Sequence, residues 1–455
     1  MNHNVPQALI TVERFWLGLI LFLMIAGILT IERLLDAPSS AFLIMVAMVA
    51  YGLVIGLANA QQRRRLAKLP PVEETAAETY EWPYVSVVIP AHDEGVVIAE
   101  TVVNMLALDY PTFELWVIDD RSRDNTRQVL DALQAKLDDR RLHVVSRPEN
   151  AIPGKSAVLN DALELVKGDL ILVMDADGRV DADFLKQLVP VMRDEQVAAV
   201  QARKVIANHR ANPLTRCQAI EYMMDAQVQD GRDTIRGAVE LRGNGQLVKR
   251  EALESVDGWT DESITDDLDL STKLHLAGWD IRFMPNVTTH EQGVIKFYNL
   301  LRQRRRWAEG SLKRYLAYGL NIVASSRISK RAQLDMILYF LQFIFPLWLF
   351  FDLLMQGGEW AVLGAAQHWR SSLMVLPVFG LFLWGTNFVS MLRFDKDTHW
   401  PKAVGESLLT TLFLIVVWIP VVLWITFKVM FRPDQGATNW GKTPRTEVYL
   451  AQMRE

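Results

Sequence analysis

The chain reads as an α/β domain held between transmembrane helices, and three features say so. Apolar residues concentrate at the two ends, strand-like and helix-like stretches alternate from Tyr84 onward, and the strand-like stretches end in carboxylates. Half of the 455 residues are hydrophobic, yet the part from about Tyr80 to Ala332 has the charge density and turn residues of a globular domain. A net charge of −5 gives no overall basic signal for nucleic acid. The single cysteine, Cys217, excludes an internal disulfide framework and a zinc–cysteine cluster.

At the N-terminus, Phe15–Ile31 and Ala41–Ala58 are charge-free apolar runs close to the ~20 residues that span a hydrocarbon core. A cleaved signal peptide fits poorly, because a second apolar run follows the first. A short loop with Glu32, Arg33 and Asp36 joins them, and Arg63-Arg64-Arg65 with Lys68 places the following domain in the cytoplasm by the positive-inside tendency. The expected organisation is two transmembrane helices in 1–69, a linker containing Pro70-Pro71 in 70–83, a cytosolic domain in 84–292, interfacial amphipathic helices in 293–332, transmembrane or interfacial helices in 333–430, and a tail in 431–455. The C-terminal runs are Met336–Met355, Leu373–Leu392 and Leu408–Phe427, each with a proline (Pro346, Pro377, Pro420). Three crossings would leave Lys428, Arg432, Lys442 and Arg445 outside, against the same tendency, so one run is open to an interfacial or re-entrant reading.

Within the domain, strands over Val85–Ile89, Leu115–Ile118, His143–Ser146 and Leu170–Met174 alternate with helices over Ile98–Leu106, Thr126–Leu137 and Lys155–Val166, which predicts a parallel, doubly wound sheet. Ligands bind such sheets at the carboxyl ends of strands. There stand Pro90, Asp93 and Glu94, then Asp119 and Asp120, then Asp175 and Asp177, with Lys155 opening a helix as a point charge for phosphate. Paired carboxylates at a strand tip suit Mg²⁺ or Mn²⁺ carrying a nucleotide diphosphate, although each acid alone is also an ordinary turn residue.

Further along, the glycines flanking Asn244 suit a loop where backbone approaches ligand, or a simple turn. Thr265 is placed to cap a helix running to about Ala277, with Asp266 and Asp267 in its first turn and Gly278 past its end. Those acids complement the helix dipole, and an ionised carboxylate is also what a general base requires. On the amphipathic segment Val294–Trp307, helical spacing puts Gln303, Arg306 and Trp307 on one face, for pyrophosphate and a sugar or acyl group, and turns Arg302, Arg304 and Arg305 toward anionic lipid phosphates.

Taken in order, Val88-Ile89-Pro90 with Asp93-Glu94, Asp119-Asp120, Asp175-Ala176-Asp177, Thr265-Asp266-Asp267 and Gln303-x-x-Arg306-Trp307 resemble the membrane-bound, inverting family 2 glycosyltransferases of GT-A fold, over about Tyr84 to Tyr318. The resemblance implies that Asp119 and Asp120 hold uridine, Asp177, aided by Asp175, ligates the metal, Asp267 is the base, and Arg306 and Trp307 close over the donor. Asp266 departs from the glutamate usual at its place, which leaves the base assignment intact. Over Arg203–Tyr318, the segments Arg203–Asn208, Glu240–Gln246, Ile264–Leu270 and Arg306–Gly310 are similar to cyanobacterial monoglucosyldiacylglycerol synthases. That implies transfer of glucose from UDP-glucose to diacylglycerol, with Asn244, Asp266 and Trp307 on the acceptor side. A processive polysaccharide synthase is the alternative, and a silent nucleotide-sugar sensor a remoter one.

Overall fold

The computed structural model describes residues 7–31, 39–66, 81–364 and 369–431. The loop acids and arginine at 32–36, Lys68, the proline pair at 70–71, and Arg432, Lys442 and Arg445 lie outside them.

The first four strands are β1 (Val85–Ala91), β2 (Phe113–Asp119), β3 (Leu142–Ser146) and β4 (Leu170–Val173). All four run parallel, in the order β3-β2-β1-β4. Their continuous apolar runs follow from burial on both faces. Val85, Val87, Ile89, Leu170 and Leu172 pack on one side under helices α3 (Ile98–Leu106) and α4 (Thr126–Leu137). Val88, Ile171 and Val173, one residue out of phase, pack on the other side with α5 (Lys155–Leu165). The register sets Ala91 beside Asp119 and Val88 beside Val173, so the three carboxylate-bearing tips share one edge.

The parallel expectation ends at β4. The sheet continues β7-β6-β8-β5, with strands β5 (Arg179–Val180), β6 (Val197–Ile206), β7 (Gln246–Lys249) and β8 (Asp280–Glu291). Strand β7 lies antiparallel to both β4 and β6. The chain reverses into β7 through Gly243 and Gly245, both at positive φ (83° and 72°), where a side chain would be strained. Because of this reversal β7 starts at the carboxylate edge, pairing Gln246 with Val173.

Helix α9 (Asp266–Ala277) ends at Gly278 in the left-handed conformation, as its sequence predicts. Thr265 holds the N-cap position but makes no capping bond; the Cβ of a residue placed at Gly310 would lie 2.6 Å from its methyl and hydroxyl, so helix α10 (Phe297–Ala324) packs hard against it. Two short helices, α6 (Phe184–Leu188) and α8 (Arg250–Glu254), follow β5 and β7, and helix α7 (Pro213–Thr234) lies between β6 and the membrane helices.

Among the described residues, four helices are long and apolar enough to cross a membrane: α2 (Ser40–Leu66), α11 (Lys330–Leu363), α12 (Trp369–Phe394) and α13 (Trp400–Phe431). Helix α1 (Gln7–Leu29, 23 residues) carries the first expected apolar run, over Arg14–Leu29 of the described residues. Ion pairs fasten the domain to this bundle: Arg216 to Asp395 and Glu406, Arg393 to Asp230, and Arg232 to Asp335. Lys428, whose charge stood against a plain three-crossing reading, is paired with Glu309 of α10 at 2.6 Å.

Candidate active site

One cavity of about 1270 Å³ is lined by Pro90, Glu94, Lys155, Asp175, Asp177, Asp266, Asp267, Gln303, Arg306 and Trp307. It therefore gathers residues from β1, β4, α5, α9 and α10, which lie more than two hundred positions apart in the chain.

At its centre the first turn of α9 presents two adjacent acids to a lysine. Lys155 Nζ lies 2.7 Å from Asp175 and 3.7 Å from Asp266. Burial alone would lower the lysine's pKa, but these carboxylates, with Asp267, outweigh it and hold the lysine charged. Asp267 is different. Burial and the neighbouring Asp266 charge push its pKa up to about 6, with Lys155 and Lys204 restraining the rise. Its Oδ1 accepts the Leu268 N–H at 2.9 Å. Gly243 supplies the space beside it: a Cβ there would stand 3.4 Å from Asp267 Oδ2 and 3.7 Å from Lys155 Nζ. A carboxylate poised near neutrality in a cavity can take a proton.

Asp177 is 1 % exposed and accepts the Gln292 N–H at 2.9 Å. Among the described residues no group of three or more His, Cys, Asp or Glu is arranged to hold a metal by itself. Two carboxylates at a strand tip nevertheless fit Mg²⁺ or Mn²⁺, which keep waters and take their remaining ligands from phosphate.

Four expected residues do not line the cavity: Asp93, Asp119, Asp120 and Asn244. Asp93 binds its own loops, accepting the N–H groups of Arg123 and Asp124. Asp120 is held by Arg121 on both oxygens and by Arg147 at 2.8 Å, so it has little left for a nucleoside. Asp119 keeps a buried Oδ1 with no hydrogen-bond partner, the better remaining acceptor for a base or ribose. Asn244 corrects the acceptor-side expectation: fully buried, it accepts the Asp175 N–H and donates to Glu291 at 3.3 Å, so it braces the edge from behind.

Arg304 is a second correction. Expected to face lipid, it is 2 % exposed, pairs with Glu221 of α7 at 2.6 Å, and lies 4.3 Å over the Trp307 ring. It backs the aromatic plate from inside, while Arg302 and Arg305 are exposed and line the outer part of the cavity.

The sequence reading also passed over Lys204 and Glu291 as site residues. Both line the cavity; they pair at 3.0 Å, and Tyr222 donates to the same carboxylate at 2.7 Å. The available signal was a carboxylate ending a long strand, at Glu291 of β8.

Comparison with known proteins agrees with this geometry. Residues 83–310 match the glycosyltransferase-like family 2. The chain is similar to the β-monoglucosyldiacylglycerol synthase of Nostoc sp., 37 % identical over 374 residues, covering 80 % of this chain and 77 % of that protein. It is also similar to the poly-β-1,6-N-acetyl-D-glucosamine synthase of Staphylococcus aureus, at 28 % identity over 79 % of this chain and 87 % of the relative. In architecture it resembles a mannosyltransferase of Pyrobaculum calidifontis in complex with GDP-mannose and Mn²⁺, with a TM-score of 0.53 at 21 % identity, covering 87 % of this chain and all of that one.

Proposed function

The chain belongs to the glycosyltransferase-like family 2, and from that premise we propose that it transfers glucose from UDP-glucose to 1,2-diacylglycerol, giving a β-glucolipid. The observation that carries the reading is Asp267, a half-buried carboxylate near neutral pKa, in a cavity that runs on from the sheet edge into the membrane helices. The 37 % identity to a glucolipid synthase, against 28 % to a polymer synthase, favours a lipid over a growing chain.

In this reading Asp267 takes the proton from the acceptor hydroxyl as its oxygen attacks the anomeric carbon opposite the leaving UDP, which inverts α to β. Arg306 and Lys155 stabilise charge on the departing diphosphate, an arrangement worth several kcal/mol when the groups are already in place. Trp307, backed by Arg304, offers an aromatic face to the sugar. Asp119 holds the nucleoside. Asp177, with Asp175, would hold Mg²⁺ or Mn²⁺, whose contribution is to neutralise the diphosphate. The domain faces the cytosol, supported by Arg63–Arg65 in the last turn of α2.

The test is purified protein in liposomes with radiolabelled UDP-sugars, with and without diacylglycerol. One labelled sugar per lipid is expected; a polymer made without diacylglycerol would instead favour the synthase alternative. Asp177→Ala is expected to weaken donor binding in the presence of metal, and chelation with EDTA to inactivate the wild type. Full activity after exhaustive chelation would remove the metal role. Anionic lipid is expected to raise activity through Arg302 and Arg305, by about 1 kcal/mol per residue and less at high salt. A charge-neutral Arg302→Gln/Arg305→Gln variant should lose that stimulation while keeping its activity in neutral liposomes.

A further inference from the structure

The cavity is larger than the roughly 300–1,000 Å³ of an ordinary small-molecule site, and its character changes along its length. Beside the carboxylates it is charged. Arg242, held by Asp225 at 2.8 Å and by the Tyr339 hydroxyl at 3.3 Å, also lines it. The walls supplied by α2, α11, α12 and α13 are mostly apolar, with Tyr51, Gln342 and Thr386 among them.

Two features of this inner space point to a chain-like occupant. Glycines stand on its walls, Gly52 and Gly56 on α2 and Gly385 on α12. A Cβ built on Gly56 or Gly385 meets nothing within 4 Å, so at these positions the backbone fronts open space. At Gly52 the Phe382 ring already occupies that space, 2.3 Å from such a Cβ. The space also opens sideways: Leu57 of α2 and Leu381 of α12 line it while remaining more than 60 % exposed. On α2 the lining runs from Arg63 to Met48, about 22 Å at the helical rise. Against a hydrocarbon core of about 30 Å, that is about three quarters of its depth.

We propose that this space is the acyl-chain site of the acceptor lipid. At least one fatty acyl chain enters from the bilayer past Leu57 and Leu381 and lies along the bare backbone at Gly56 and Gly385. Its glycerol hydroxyl then reaches Asp267 in the charged part of the same cavity. The proposal rests on the lipid-acceptor reading and adds to it the place that sets chain-length preference. A polysaccharide is disfavoured here, because most of its hydroxyls would face apolar side chains such as Leu53, Phe379 and Phe382, with few hydrogen-bond partners.

The experiment uses the full-length protein in liposomes, comparing transfer to dioleoylglycerol and dioctanoylglycerol for wild type, Gly56→Leu and Gly385→Leu. Filling the space is expected to lower kcat/KM for the long-chain acceptor about tenfold or more, a size typical of misfit in an apolar pocket. Use of the short-chain acceptor should fall far less, so the ratio between the two shifts, with UDP binding unchanged. An unchanged ratio in both folded variants, or an equal loss on both acceptors, would overturn the proposal while leaving glucolipid synthesis standing. Should the variants not fold, a diacylglycerol carrying a photoreactive group in its acyl chain tests the wild type directly. Crosslinks to α2 and α12 peptides are expected, and crosslinks elsewhere only would overturn the assignment. Wild type that makes no glycolipid at all would fail the underlying reading, and that result is read separately, from the product.

Discussion

Asp267→Asn is expected to lower sugar transfer by about 10²–10⁴-fold while making the protein more resistant to heat. Both effects have one cause. Burial and Asp266 raise the carboxyl's pKa to about 6, some two units above an unperturbed aspartate. A group whose folded pKa is raised is most costly when ionised, so above pH 6 the charge destabilises the folded state, by up to about 3 kcal/mol. That cost is relieved as pH falls from 6 toward 4. The amide keeps the shape and removes the charge, so the melting temperature at neutral pH should rise and UDP binding should persist. Activity of the wild type should fall as pH drops through about 6, because the base becomes protonated, with Asp266, Lys155 and Lys204 setting the midpoint. Transfer near the wild-type level in the variant would remove Asp267 from the role of base.

Asp335→Ala is expected to destabilise the protein by about 3–5 kcal/mol, the usual result of stripping one partner from a buried ion pair. Arg232 is fully buried and Asp335 is 1 % exposed; they meet at 2.9 Å. The same carboxylate accepts the Tyr51 hydroxyl at 2.5 Å and the Ala238 N–H at 2.8 Å. It thus joins α2, α7, α11 and the approach to β7 at one point. Without it Arg232 retains only Glu240, at 3.5 Å, among the described carboxylates paired with it. Thermal unfolding in detergent measures the loss, and Asp335→Asn, which keeps an acceptor for Ala238, should fall between. A melting temperature within a degree of the wild type would show that the pair holds nothing together.

The strand tips were legible because burial on both faces of a parallel sheet demands an unbroken apolar run, and the carboxylates ending three of the four runs stand out against it. The helix Asp266–Ala277 was legible for a similar reason, as local signals mark both its ends. What could not be read was anything settled by a distant partner. Helical spacing correctly grouped Gln303, Arg306 and Trp307, and it correctly set Arg304 off that face. It could not show that Glu221, eighty residues earlier, covers the other side. In the same way the sequence displays Asp120 at a strand end but not the two arginines that occupy it, and displays Asn244 between glycines but not the burial that makes it a brace. The antiparallel β7 was hidden because two residues at positive φ decide its direction.

The inner wall of the cavity is made from both ends of the chain, with Leu57 and Leu381 separated by roughly three hundred residues. A ribosome needs on the order of tens of seconds to make that interval. Throughout it, the lining face of α2 is already in the bilayer and has no counterpart, while the nucleotide half of the site emerges and folds. If the inner wall is the acyl-chain site proposed above, competence toward the donor precedes competence toward the acceptor during biogenesis, and the last helices made are the ones that complete the acceptor site. On that proposal, a nascent or truncated chain ending before α12 is expected to bind nucleotide sugar while lacking a finished acceptor site.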